Sequence, residues 1–342
     1  MGGDRLASSD TLAAVGKQIF KREELLKGHN LAGLMSGQGE LKPQMGKGFL
    51  SMKEDRYVVH IFDKANELFH KWNPDRGVDF NFRDIIEKGT ESDLSQTTIA
   101  QPLLIILSLL SKYVLEKGFD IKPTLLAGHS AGEYSALAEN CLDLDDALEL
   151  IIARGRITQE EVQRSVEQNE PQTSMYALKR KKTSIELAEL NNIPDINSHI
   201  SLINGKNDFV VWSEELNFNS LKEGLNSLGI RMIELNIPTA FHANTPTMQR
   251  IAGRMNELMR KFTWSDPKIP ILMNATHQVA TTKEQVIEAL IANHTNTVDW
   301  LESMNEMGRK EIDAAVQFGP GSFLTKQIEQ VIPGIVTDSS AI

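Results

Sequence analysis

Ser130 sits in Gly128-His129-Ser130-Ala131-Gly132, a Gly-x-Ser-x-Gly pattern followed at once by Glu133. In this pattern a serine occupies a sharp strand-to-helix turn with its hydroxyl held outward, as in a nucleophile elbow. The flanking glycines matter because side chains there would collide where the backbone doubles back. Backbone N–H groups at the start of the next helix lack partners and can hold a developing negative charge. A serine hydroxyl is a poor nucleophile at neutral pH and needs a base. The chemistry on offer is nucleophilic attack by the Ser130 hydroxyl. The same residues also fit a glycine-rich turn with a capping serine, and the pattern alone leaves both readings open.

The elements on either side must hold this turn in place. Residues 124–127 are an apolar run that reads as a buried strand, and 134–139 are helix-forming. Upstream, 31–36 is a short strand candidate running into Gly37-Gln38-Gly39-Glu40, a tight turn by its glycines. Apolar spacing predicts helices over 11–27, with Ser9 or Asp10 as N-cap, over 57–72 and over 82–88. The longest apolar run, 102–110, is short of the ~20 residues of a membrane span and reads as a buried helix opening at Pro102. A helix over 144–159 follows. Strand and helix alternate through this half, the pattern of an α/β domain with a mainly parallel sheet.

The texture changes after about residue 160. Strands over 175–178, 199–204, 209–213 and 231–235 interleave with helices over 184–190 and 216–228. This reads as a small α+β subdomain inserted in the larger one. The first texture then returns, with helices over 247–262, 282–293, 298–307 and 323–331 and strands over 270–274 and 312–318. The expected division is 1–30 as an N-terminal tail and helix, with 1–10 disordered, then 31–160 and 236–342 as a large α/β catalytic domain, and 161–235 as the small subdomain.

The composition, 41% hydrophobic and 24% charged, is that of a soluble globular chain. A net charge of -10 argues against nucleic acid as the main partner. The single cysteine, Cys141, allows no internal disulfide, and without a Cys/His cluster at ligand spacing no metal is expected. The start lacks a basic, apolar signal sequence, which makes the cytoplasm the default location.

Taken in order, Gly37-Gln38-Gly39, Gly128-His129-Ser130-Ala131-Gly132-Glu133, Arg154-Gly155, Ala240-Phe241-His242 and Phe318-Gly319-Pro320-Gly321 resemble the landmarks of the acyltransferase family. This is the family of malonyl-CoA:acyl carrier protein transacylases and polyketide synthase acyltransferase domains. Thr98-Ile99-Ala100-Gln101-Pro102, Ile203-Asn204-Gly205 and Val298-Asp299-Trp300 add to the resemblance, which spans nearly the whole chain. It implies an α/β-hydrolase-like large domain with an inserted ferredoxin-like subdomain. It also implies ping-pong transfer of a malonyl group from malonyl-CoA to a serine, then to the phosphopantetheine thiol of an acyl carrier protein, in polyketide or fatty acid biosynthesis. No bound cofactor is implied, since the coenzyme A thioester is the substrate. A monomer acting away from membranes is expected.

The resemblance also assigns roles. Among eight histidines it selects His242 as the base; such help contributes typically ~10²–10⁴-fold. A backbone carbonyl at the position of Asp299 is expected to orient it, although Asp299 also fits a plain helix N-terminus. Backbone N–H groups of Ala131 and Gln38 are the expected oxyanion donors. The usual Ser-Gln after Gly-Gln-Gly is replaced by Glu40-Leu41, with Gln44 a candidate for the missing glutamine. Arg154 matches the arginine that grips the free carboxylate of malonyl through two parallel hydrogen bonds; its plain alternative is a solvated helix arginine. Phe241 resembles malonyl-selective members, a bulky ring crowding a 2-methyl branch. Gln101 and Asn204 are expected to line the pocket, and His129 to pack or hydrogen-bond at the elbow. The basic run 179–182 either docks an acidic carrier protein or is a solvated loop. Three rivals remain: an acyl hydrolase clearing carrier proteins, which has no need of Arg154; an unrelated lipase or esterase; and a non-enzymatic carrier-protein docking domain.

Overall fold

The computed structural model describes residues 6–342 apart from positions 78, 182, 194 and 341 and the side chains at 197 and 198. The first five residues of the small polar tail, and Lys182 of the basic run, lie outside the described residues.

The strands, in chain order, are β1 Leu31–Met35, β2 Leu125–Gly128, β3 Thr173–Arg180, β4 Ile200–Gly205, β5 Asp208–Glu214, β6 Ile230–Glu234, β7 Ile271–Leu272, β8 Val279–Ala280, β9 Val298–Asp299, β10 Ala314–Phe318 and β11 Val336–Ser339. They form two sheets. The first has the order β11-β10-β1-β2-β7-β8 and is parallel except for the β7–β8 pair at its edge. All five residues of β1 are buried, as a parallel strand covered on both faces requires. Alternate side chains serve opposite faces. Leu31 and Met35 enter the larger core, whereas Ala32 and Leu34 join Trp300, Met304, Leu324 and Ile328 in a second one.

The longer helices are α1 Ser9–Ile19, α2 Arg56–Trp72, α3 Phe82–Lys88, α4 Thr97–Phe119, α5 Leu144–Glu167, α6 Phe218–Ser227, α7 Pro246–Met259, α8 Lys283–Ala292, α9 Trp300–Arg309 and α10 Phe323–Val331. α1 is shorter than expected. Ser8, rather than Ser9 or Asp10, caps it by accepting from the Thr11 N–H, and residues Glu23–Leu26 form a separate 3₁₀ turn. α4 opens at Thr97, ahead of Pro102. Residues 97–101 are buried there, and Gly155 of α5 lets the two backbones meet at Thr97 and Thr98. That packing carries the helix through a residue that donates no backbone bond. By length and apolarity α4 qualifies to cross a membrane, yet 94% of its most apolar stretch is buried inside the protein.

α5 runs on to Glu167 instead of ending at 159. Its polar last turns are held by charge: Glu160 and Glu161 pair with Arg250 and Arg254 of α7. Apolar periodicity does not register a helix face held that way.

The second sheet has the order β6-β3-β5-β4-β9. β3 lies antiparallel to β5 and β6, and β4 antiparallel to β5. β9 is parallel to β4, with Val298 beside Leu202 and Asp299 beside Ile203. Residues 298–307 were expected to be helical throughout; the first two extend as a strand and α9 starts at Trp300. The sheet formed mostly by residues 173–234 is thus completed by a strand from much later in the chain.

Candidate active site

β2 ends at Gly128, and the chain turns into a 3₁₀ helix, Ser130–Ala136, in place of the helix expected over 134–139. Ser130 has φ 55°, a left-handed conformation costly for any residue but glycine. Both flanking glycines are needed. A Cβ on Gly128 would overlap the backbone of Gly132, and one on Gly132 would overlap the Met35 carbonyl.

The strained turn presents Ser130 to His242. Ser130 Oγ lies 2.6 Å from His242 Nε2. His242 Nδ1 donates to the main-chain oxygen of Asn293 at 2.6 Å. That bond places the ring proton on Nδ1 and leaves the Nε2 lone pair facing the serine hydroxyl. The orienting carbonyl is therefore that of Asn293, at the C-terminal end of α8, and the expectation for Asp299 is corrected. Asp299 accepts from the Glu302 N–H at 2.8 Å and caps α9. Its residue type suits a helix start, and its backbone is engaged in β9.

A buried carboxylate joins the two sides of this dyad. Glu133 is fully buried. Its Oε1 accepts from the Asn274 N–H at 2.6 Å, and its Oε2 accepts from the Asn293 side-chain amide. Asn274 in turn accepts from the Ser130 N–H at 2.8 Å and donates to the Gly128 carbonyl at 2.7 Å. Burial pushes the Glu133 pKa up to about 8, against the lowering effect of these hydrogen bonds and of Arg154. Burial likewise drives the His242 imidazole down to about 3, opposed by its bond to Asn293 and assisted by the nearby charge of Arg154. Nothing in the sequence marked Asn274 or Asn293 beyond their being polar residues at the ends of apolar runs. Glu133 was visible only as the last letter of the elbow.

Arg154, on α5, is 3% exposed rather than solvated. Its guanidinium carbon lies 5.1 Å from the Tyr134 ring centre and 5.9 Å from that of Phe241. Among the described residues its Nε and one Nη have no hydrogen-bond partner. Burial lowers its pKa, and Tyr134 and Glu133 oppose that. Tyr134 also hydrogen-bonds His294 at 3.2 Å; neither residue was singled out from the sequence. Gln101 is 1% exposed with its side-chain oxygen unpartnered. Ser130, His242, Phe241 and Arg154 are thereby brought into one region.

Asn204 is placed differently. Its Oδ1 accepts from His129 Nε2 at 2.9 Å, and its amide nitrogen donates to Asp208 at 3.2 Å. It ties β4 to the elbow. His129 is wedged edge-on against Trp300 and Phe323, and burial lowers its pKa. Gln38 opens a short 3₁₀ turn, Gln38–Glu40, just beyond β1 and beside the elbow. The Ser130 N–H is already taken by Asn274, so the next N–H along the elbow is that of Ala131. Gln44 is exposed, in a left-handed conformation.

Residues 34–336 match the acyl transferase domain family. The chain is 24% identical over 304 residues to the malonyl CoA-acyl carrier protein transacylase of Buchnera aphidicola subsp. Schizaphis graminum, covering 88% of this chain and 92% of that one. It is 26% identical over 301 residues to the polyketide biosynthesis malonyl CoA-acyl carrier protein transacylase PksC of Bacillus subtilis, covering 86% and 94%. Among solved structures it resembles a malonyl-transacylase in complex with a type II polyketide synthase acyl-carrier protein, with a TM-score of 0.75 and 20% identity over 91% of this chain and 95% of that one. With the match covering nearly its whole length, the chain belongs to the acyl transferase domain family.

Proposed function

We propose that this chain moves a malonyl group from malonyl-CoA to the phosphopantetheine thiol of an acyl carrier protein, by way of an ester on Ser130. Ser130 Oγ attacks the thioester carbonyl as its proton passes to His242 Nε2. The N–H groups of Ala131 and Gln38 receive the oxyanion. Collapse expels the coenzyme A thiolate, which takes the proton from His242. The carrier thiol then gives its proton to the same nitrogen and attacks the ester; collapse breaks the ester bond, and the departing Ser130 oxygen takes the proton back from His242. Asn293 holds the imidazole through both half-reactions.

Arg154 supplies the selectivity in this reading. A buried guanidinium with nitrogens left unpaired is costly unless a ligand carboxylate completes it. Phe241 and Gln101 line the acyl pocket, whereas Asn204 and His129 brace the elbow. The large domain is read as α/β-hydrolase-like (31–160 and 236–342), and the reading of its insert (161–235) as ferredoxin-like is supported by the strand order β6-β3-β5-β4, in which each outer strand lies beside an inner strand antiparallel to it.

The observation that carries the proposal is the Ser130–His242 contact at 2.6 Å beside a buried Arg154 whose Nε and one Nη have no partner among the described residues. Intact-mass spectrometry after incubation with malonyl-CoA or acetyl-CoA tests it. A malonyl adduct lost in Ser130→Ala, and passed on to carrier protein, is the expected result. An adduct that only hydrolyses would establish the hydrolase instead, and no adduct at all would favour the docking domain.

A further inference from the structure

Glu40 follows the proposed oxyanion donor Gln38 by two residues and is anchored far more firmly than a turn residue needs to be. Its Oε1 accepts from the N–H groups of Ser322 at 3.0 Å and Phe323 at 2.9 Å, at the start of α10. Its Oε2 accepts from Gln317 Nε2 at 2.6 Å. An anion is favoured at such a helix start, where the N–H groups have no partner within the helix. Gly321, at φ 79°, has no room for a side chain: its Cβ would overlap the Glu40 carboxylate.

Gln317 is wholly buried on β10, directly beside Leu34 of β1. Its Oε1 accepts from the Leu324 N–H at 2.8 Å and the Thr325 N–H at 3.3 Å. Its Nε2 also reaches Ser36 Oγ at 2.9 Å. Two side chains thus satisfy four successive N–H groups of α10 while gripping both ends of the segment 36–40. Between the grips lie Gly37, Gln38 and Gly39. A Cβ on Gly37 would come within 2.9 Å of His129 Nδ1, so the segment lies flush against the elbow.

We propose that Glu40 is a positioning residue that fixes the Gln38 main-chain N–H toward the Ser130 oxyanion by locking its loop to Gln317 and the start of α10. The proposal rests on the reading of Gln38 as an oxyanion donor. Glu40 does not touch substrate. It holds the far end of a loop whose middle is glycine-rich.

The test compares wild type, Glu40→Ala, Glu40→Gln and the exchanged pair Glu40→Gln/Gln317→Glu. One arm measures the rate of malonyl ester formation on Ser130 by rapid-quench mass spectrometry across malonyl-CoA concentrations. The other measures amide hydrogen exchange at residues 37–41 without substrate. Glu40→Ala is expected to lower the limiting acylation rate about 10- to 100-fold, less than the roughly 10²–10³-fold of deleting a donor outright, with half-saturation changed less than about threefold. Exchange at 37–41 should quicken while the rest of the chain keeps its protection. Glu40→Gln sets an amide nitrogen against neighbouring donors and should fall between the two. The exchanged pair restores one carboxylate facing one amide but sets the new carboxylate against the Pro320 carbonyl, to which Gln317 Nε2 donates at 2.9 Å, and should recover part of the rate. Glu40→Gln carries the comparison if Glu40→Ala does not fold. Unchanged exchange at 37–41 would overturn the proposal without reference to activity. Faster exchange with an undiminished acylation rate would overturn it too, while leaving transfer through Ser130 standing.

Discussion

The Nδ1–H of His242 meets the main-chain oxygen of Asn293 at 2.6 Å, where the carboxylate of a Ser-His-Asp triad would stand. A carbonyl orients the ring as a carboxylate does but carries no full charge to stabilise an imidazolium. The Glu133 carboxyl touches the Asn293 side-chain amide instead of the ring. In the proposed reaction the buried, neutral imidazole of His242 is the base that activates Ser130.

A pH consequence follows. His242 is held down at about 3 rather than near its ordinary 6.5. Its Nε2 lone pair stays available as the pH falls through 6.5, so the acylation rate of Ser130 should be flat from neutrality to about pH 5. A rate that halves near pH 6.5 in single-turnover measurements would contradict this.

Stability carries the opposite signature at Glu133. Its carboxyl is raised from 4.5 to about 8 in the folded protein. Between these values the folded chain holds a proton that the unfolded chain has lost, so stability falls as pH rises through this window. His242 works the other way: between 6.5 and about 3 the unfolded chain takes up a proton that the fold refuses, and stability falls as pH drops. Urea midpoints of wild type and Glu133→Gln, followed from about pH 6 to 9, should converge with rising pH as the wild type alone loses stability.

Removing the carboxylate altogether tests the bridge. Glu133→Ala leaves the Asn274 N–H and the Asn293 amide without partners, at about 1–3 kcal/mol each. Loss of stability should come with loss of acylation, because the same two asparagines hold Ser130 and His242. Denaturation curves and acylation rates on one preparation check both.

Arg154→Ala should invert selectivity. Without the guanidinium, malonyl-CoA loses its charge partner and acetyl-CoA loses nothing. The ratio of their acylation rates should drop by roughly 10- to 100-fold, the scale of a charge-assisted hydrogen-bonded contact. Equal losses for both substrates would place Arg154 in a structural role.

Gly132→Ala examines the elbow. The added methyl meets the Met35 carbonyl, a backbone atom that cannot swing aside. The variant should melt well below wild type and fail to form an ester, by differential scanning calorimetry and intact mass.

Much of this was legible in the sequence because it is carried by short-range pattern. The β1 and β2 runs, α2, α3 and α10 follow from apolar spacing, and the elbow follows from its glycines. What escaped is set by contacts distant in the chain. Asn293 orients His242 through a main-chain oxygen, which any residue type would supply, so its identity left no trace. β9 is two residues long, too short for any periodicity. The last turns of α5 are polar because they are paired to α7, and composition reads such a face as exposed. Glu40 departs from the family's motif, and the groups that anchor it, Gln317 and the start of α10, lie far along the chain.

β9 gives the second sheet a strand that the chain supplies some sixty residues after β6, and Asn204, on the neighbouring strand, reaches back to His129. A gene segment covering 161–235 alone would express a sheet with a raw margin, open to pairing with another molecule. Specificity swaps between relatives must carry the Val298–Asp299 stitch along with the insert, or the transplanted piece will arrive unhemmed.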